Sequence, residues 1–267
     1  MDRVAPNFLN RLGARTIARL DRILVHVAAV YSVLLVMVTR RYWSRPVRNV
    51  LVRQILFTAC EATLFIGLVA SLVGVSIVVQ AKVWLGAFGM LNKLGIVMVA
   101  VIMREIGPLL TNLVVLARSG TAIATELGSM KVNGEVHLLN ALGLDPFIYL
   151  VATRMLGMAI SVFCLSIVFI LVSFASGYIV GLLLGGVSAD PGVFVRSVFA
   201  AVGMEDVFNL LVKTFIVGLA TGSICCREGL SAQRSITEVP QATTRAVVRS
   251  TATMFLISAV TSFLMYA

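Results

Sequence analysis

The sequence predicts an all-α integral membrane protein with five transmembrane helices, an interfacial helix at the amino end and a short cytoplasmic helix between the second and third spans. Three observations carry this expectation. Mean hydropathy over the 267 residues is +1.00 and only 13% of them are charged, whereas a soluble domain carries about 25%. Five apolar stretches reach or pass the ~20 residues that a helix needs to cross ~30 Å of hydrocarbon. The charge is also lopsided, because residues 1–53 hold ten Arg against two Asp and so account for +8 of the net +10. A basic chain can mean nucleic acid, but this basic segment adjoins apolar spans. The expected partner is therefore an anionic membrane face, with no nucleic acid. Two regions follow: a basic amino-terminal region over 1–53 and a transmembrane unit over 54–267.

The first apolar run, Ile23 to Val38, is only 16 residues and is bracketed by Arg19 and Arg22 on one side and Arg40, Arg41 and Arg45 on the other. A span here would leave one Arg cluster on the outer side, against the positive-inside tendency. Residues 8–38 are therefore expected to form a helix lying in the cytoplasmic interface; a sixth span is the alternative. No cleavable signal peptide is expected, because the apolar run starts late and lacks a small-residue cleavage site.

The five spans are expected at Ile55 to Val79, Leu94 to Leu116, Phe147 to Leu184, Val207 to Cys226 and Ala246 to Tyr266. The third, at 38 residues, must project beyond the bilayer or bend. Loops 117–146 and 227–245 carry Arg118, Lys131, Arg227, Arg234 and Arg245, whereas loop 185–206 carries Asp190, Glu205 and Asp206 against Arg196. The bias places the amino end in the cytoplasm and the carboxyl end outside.

Between the second and third spans, in "MKVNGEVHLLNALGLDP", Val136, Leu139 and Leu142 recur at helical spacing. Gly143 is a fitting stop, and Asp145-Pro146 can cap and start the next helix. The pattern predicts a short amphipathic helix that either docks into a partner's groove or rests on the membrane.

Small residues recur four apart at Gly120, Ala124 and Gly128, at Gly177, Gly181 and Gly185, and at Gly218 and Gly222. Such stripes let helices approach closely in lipid, either within the bundle or between subunits. The four cysteines, Cys60, Cys164, Cys225 and Cys226, have no metal-ligand spacing and read as small apolar packing residues.

The candidate site comes from charges inside the spans. Arg104 and Glu105 are adjacent, so on a helix they point about 100° apart and each needs its own partner. Counting along the helices puts Lys213 within reach of Glu105 and Glu61 within reach of Arg104. Ionisable groups at this depth usually face a bundle interior or a wet cavity. The four residues Arg104, Glu105, Lys213 and Glu61 are the expected site for a charged headgroup; a buried ion-pair network that only fixes helix register is the competing reading. Pro108 should kink the helix and free a carbonyl near Arg104. The chain has no phosphate-binding loop, no H-E-x-x-H and no G-x-S-x-G, and only the scattered His26 and His137. Neither catalysis nor a cofactor or metal site is expected in this chain, and any energy source must come from elsewhere.

"REIGPLLTNLVVLARSGTAIATELGSMKV" (Arg104 to Val132), "ALGLDP" (Ala141 to Pro146) and "ATTRAVVRST" (Ala242 to Thr251) resemble the MlaE/YrbE-type permeases of ABC transporters that work with MCE-domain proteins. The resemblance runs from about Val50 to the carboxyl end. It implies a homodimeric permease of a bacterial inner membrane, a separate ATPase subunit that binds ATP, an MCE-domain partner and lipid, typically phospholipid, as cargo. It also implies that Arg104, Glu105 and Lys213 lie near the substrate cavity and that Glu135 to Leu142 form the coupling helix, with Glu135, Val136, Leu139 and Leu142 as its contacts. This chain departs from the family pattern in reading "NGEVHLLNALG" where members usually read like "TEQIDALEVMG", and in having Ala117 where Gly is common. An ion- or proton-coupled carrier that needs no ATPase, with Glu61 and Glu105 titrating, is the alternative function.

Overall fold

The computed structural model describes residues 24, 28–37, 39, 45–90, 93–185, 191–232 and 235–266. Among the described residues there is no strand, and eight helices follow in chain order. They are α1 (Ala28–Met37), α2 (Arg45–Ala87), α3 (Leu94–Val132), α4 (Glu135–Ala141), α5 (Phe147–Leu183), α6 (Pro191–Ala201), α7 (Met204–Leu230) and α8 (Glu238–Tyr266). Of these, α2, α3, α5, α7 and α8 are the five long and apolar enough to cross a membrane. The chain is an all-α multi-pass membrane protein.

Helices overrun the apolar windows because polar residues beyond the hydrocarbon continue the same backbone. α2 has 43 residues, a length of ~65 Å at 1.5 Å per residue, about twice the ~30 Å of hydrocarbon. Its described part, from Arg45, runs unbroken through residues 53 and 54. Residues 117–132, expected as loop, instead extend α3 to Val132. Their Ala and Gly face is buried against α7 and α8, and that burial holds the segment helical.

The junction after α3 follows its local chemistry. Gly134 (φ +79°) and Gly143 (φ +73°) adopt the left-handed conformation that starts and ends α4. Asp145 then caps α5, its Oδ1 accepting the Phe147 N–H at 2.9 Å.

α5 lies in the middle of the bundle. α2 packs along one side of it, α3 and α7 along the other, and α8 closes against α7 and α3. The α5 core face carries Met155, Met158, Ala159, Val162 and Phe169, all 1% exposed or less. Large parts of α2 and α8 present apolar side chains outward, among them Leu64, Leu72, Phe263 and Leu264.

The small-residue stripes turn inward, except at Gly185, which is exposed just past the end of α5. A Cβ at Gly218 would stand 2.7 Å from Ala159 Cα, one at Gly229 would stand 2.6 Å from the Ala124 carbonyl, and one at Gly177 would meet Val78 and Met98. These positions bring helices of one chain together. Of the four cysteines, Cys225 and Cys226 are buried packing residues as expected, whereas Cys60 and Cys164 lie on the exposed surface. Most of the interfacial helix expected at 8–38 falls outside the described residues. In the described part, α1 rests on the bundle through Val33, which is fully buried, and Ala29 shares a cavity with Phe147, Val151 and Arg227.

Candidate functional site

Pro108 shapes the centre of the site. It has no N–H to donate back to Arg104, and its ring crowds that carbonyl. α3 responds with a wide π-helical turn over Val99–Ile106, in which Gly107 N–H bonds to the Ile102 carbonyl. The Arg104 carbonyl, left without its helical donor, accepts the Lys213 ammonium at 2.9 Å and Asn209 Nδ2 at 3.5 Å. Lys213 itself lies in a second π turn, Val212–Ile216 of α7.

The Lys213 side chain is 1% exposed and its three donors are all used. Besides the Arg104 carbonyl, they reach Glu105 Oε1 at 2.7 Å and the Ser262 hydroxyl of α8. Ser262 in turn donates to Glu105 Oε1, so three spans meet at one carboxylate. Two turns further along α3, Asn112 Nδ2 donates to the Pro108 carbonyl at 2.8 Å and to the Lys213 carbonyl at 3.2 Å. The Glu105–Lys213 pairing is the one expected from helix depth.

The partner of Arg104 differs from the expected one. Its guanidinium forms an ion pair with Asp206, in which Nη2 donates to Oδ2 at 3.3 Å and Nε lies 2.8 Å from Oδ1. Asp206, in the first turn of α7, also accepts the Gly203 N–H at 2.9 Å, so one carboxylate both caps the helix and holds the arginine. Glu61 instead pairs with Arg118, whose guanidinium also lies over the Phe57 ring at 5.5 Å. The cause is position: Arg118 is fourteen residues beyond Arg104 on α3, ~21 Å along the axis. Glu61 therefore belongs to the Arg-rich end and not to the Arg104 cluster.

Each central ion pair has a buried half and an accessible half. Asp206 and Lys213 are 2% and 1% exposed, whereas Arg104 and Glu105 are 33% and 40% exposed. The site thus presents a cation beside an anion, each fixed from behind by a desolvated counter-charge. An apolar groove of about 410 Å³ adjoins it, beginning at Met103 and walled by Ile170, Phe174, Phe194 and Phe199. No group of three or more His, Cys, Asp or Glu that could hold a metal occurs among the described residues.

At the Arg-rich end, Glu228 of α7 is 5% exposed and is held by Arg245 and Arg249 of α8. Nearby, α4 has no buried residue. Val136 and Leu139, expected as docking contacts, pack partly against the bundle, while Leu138 and Leu142 are 62% and 75% exposed. The helix is apolar on more than one face, and Glu135, His137, Leu138, Asn140 and Ala141, with Leu142 just beyond its end, are all exposed.

The family model of the MlaE permease matches residues 51–264. The chain belongs to the MlaE permease family. It is 30% identical over 202 residues to a probable ABC transporter permease protein of Rickettsia typhi, covering 76% of this chain and 77% of the relative. It is 30% identical over 201 residues to the intermembrane phospholipid transport system permease protein MlaE of Haemophilus influenzae, covering 75% and 76%. Identity is 28% over 189 residues to the chloroplastic protein TRIGALACTOSYLDIACYLGLYCEROL 1 of Arabidopsis thaliana, covering 71% of this chain and 53% of that one. As a member of the MlaE family, the chain is a permease component of the ABC transporter class.

Proposed function

We propose that this chain is the permease of an ABC transporter that moves phospholipid between a bacterial inner membrane and the cell envelope. In this reading it works as a homodimer, its amino end in the cytoplasm, with an MCE-domain protein on the far side and ATP hydrolysed by a separate subunit. The observation that carries it is the accessible Arg104–Glu105 face beside an apolar groove. Arg104 suits a lipid phosphate and Glu105 an amine on the same headgroup, while the groove takes an acyl chain. The π turn at Val99–Ile106 gives α3 a place to flex as the ATPase cycles.

Mass spectrometry of the detergent-extracted complex tests this. An ATPase subunit and phospholipid should co-elute with the wild type. Arg104→Ala with Glu105→Ala should retain the ATPase and hold about a hundredfold less lipid, the loss expected from two charge-assisted contacts. A chain that elutes without subunits or lipid in repeated preparations returns the function to an ion- or proton-coupled carrier.

The ATPase contact is proposed on the outward face of α4. Leu138→Asp and Leu142→Asp are expected to strip the ATPase from the purified complex while thermal stability stays near wild type. Leu139→Asp, which packs inward, should lower stability first. Equal retention of the ATPase in both outward variants would place the docking surface elsewhere.

A further inference from the structure

A second cavity, of about 460 Å³, lies among α2, α3 and α5 at the Arg-rich end. Arg53, Gln54, Phe57, Glu126, Tyr149 and Arg154 line it, and it shares no residue with the Arg104 cluster. Arg154 is only 5% exposed. Its Nη2 pairs with Glu126 at 2.7 Å and its Nη1 donates to the Leu150 carbonyl at 3.2 Å, while Nε is buried and has no hydrogen-bond partner. A buried donor without an acceptor costs free energy, so the protein's own groups leave this donor set incomplete.

The cavity wall carries a net positive charge. Arg53 is exposed and has no ion-pair partner among the described residues, so two guanidiniums face one carboxylate, and that carboxylate is 56% exposed. Gln54 and Tyr149 add an amide and a hydroxyl donor to the wall. Guanidinium forks on two neighbouring helices match the several oxygens of a phosphate. The depth matches a headgroup, because Arg53 lies just outside the apolar stretch that begins at Ile55. Phe57, Leu56 and Leu64 then continue along α2 as an exposed apolar track.

We propose that this cavity binds a phosphate group, carried by an anionic phospholipid whose chains lie along α2, as a resident ligand that ties α2 to α3 and α5. The proposal does not depend on which cargo the Arg104 site handles. Basic pockets between spans on the cytoplasmic side are a recurrent way to hold anionic headgroups.

Native mass spectrometry of the full chain in its detergent-solubilised complex, titrated with phosphatidylglycerol, tests it, with inorganic phosphate as a competitor. Arg53 is exposed and unpaired, so Arg53→Gln should fold as wild type and bind phosphatidylglycerol about tenfold more weakly, the loss of one charge-assisted pair. Arg154→Lys keeps the charge but not the fork, and should weaken binding similarly. Competition by inorganic phosphate, with phosphatidylglycerol indifferent to both substitutions, would identify a soluble phosphate as the source. If neither probe distinguishes wild type from the two variants, the proposal is overturned.

Discussion

Replacing Lys213 by Met is expected to lower the thermal stability of the detergent-solubilised protein by on the order of 10 °C and to abolish transport. The ammonium is 1% exposed and serves three acceptors at once, the Arg104 carbonyl, Glu105 and Ser262. Without it, Glu105 loses its counter-charge, and the carbonyl that Pro108 already deprived of a helical donor loses its strongest one. Removing one member of a buried pair costs about 3–5 kcal/mol. The lower end applies because Glu105 is 40% exposed, and ~3 kcal/mol in a chain of this length is a shift of about 10 °C. A double variant separates structure from function. Glu105→Leu with Lys213→Met removes both charges together, a change that is often neutral in buried sites, so stability should return while transport does not. If the double variant regains stability and also transports as wild type, the cluster serves only to set helix register.

Much of this arrangement was legible in the sequence. Five spans follow from apolar run length, and the Glu105–Lys213 contact follows from counting residues down two helices. The freed Arg104 carbonyl follows from Pro108. Asp206 was not legible as a site residue, because span ends were set by apolarity and so Asp206 fell in a loop rather than in the first turn of α7. The signal was present in Gly203 followed by Glu205 and Asp206, a helix start whose acids face its free N–H groups. Misplacing Asp206 left Arg104 without a partner, and Glu61 filled the vacancy although it lies nearer Arg118. α4 shows a different limit. Val136, Leu138, Leu139 and Leu142 make more than one face apolar, so helical period alone could not separate the inward face from the outward one. The small-residue stripes left bundle packing and subunit contact equally open, and only the neighbours of each missing Cβ decide between them.

Those neighbours lead to the other large effect. Gly74→Leu is expected to prevent α2 from seating on α5, giving little monodisperse protein on size-exclusion chromatography. A Cβ at Gly74 would stand 2.3 Å from the Ser173 carbonyl oxygen, 2.5 Å from Ser176 Oγ and 2.8 Å from Ser173 Cα. Two of these atoms are backbone, so no rotamer change on α5 relieves the overlap and the helices must separate. Separation also breaks the hydrogen bonds that hold them at backbone distance, Ser173 Oγ to the Ala70 carbonyl at 2.9 Å and Ser176 Oγ to the Ser71 carbonyl at 3.2 Å. Overpacking typically costs ~1–3 kcal/mol and each interhelical bond in a membrane adds ~0.6 kcal/mol. Gly67 on the same helix is the control, because nothing lies within 4 Å of a Cβ there; Gly67→Leu should purify as wild type. Any protein that survives Gly74→Leu should also have lost transport, since Ile170 and Phe174 flank Ser173 on α5 and wall the groove beside Arg104. Equal behaviour of the two glycine variants would mean that α2 does not pack on α5 at this register.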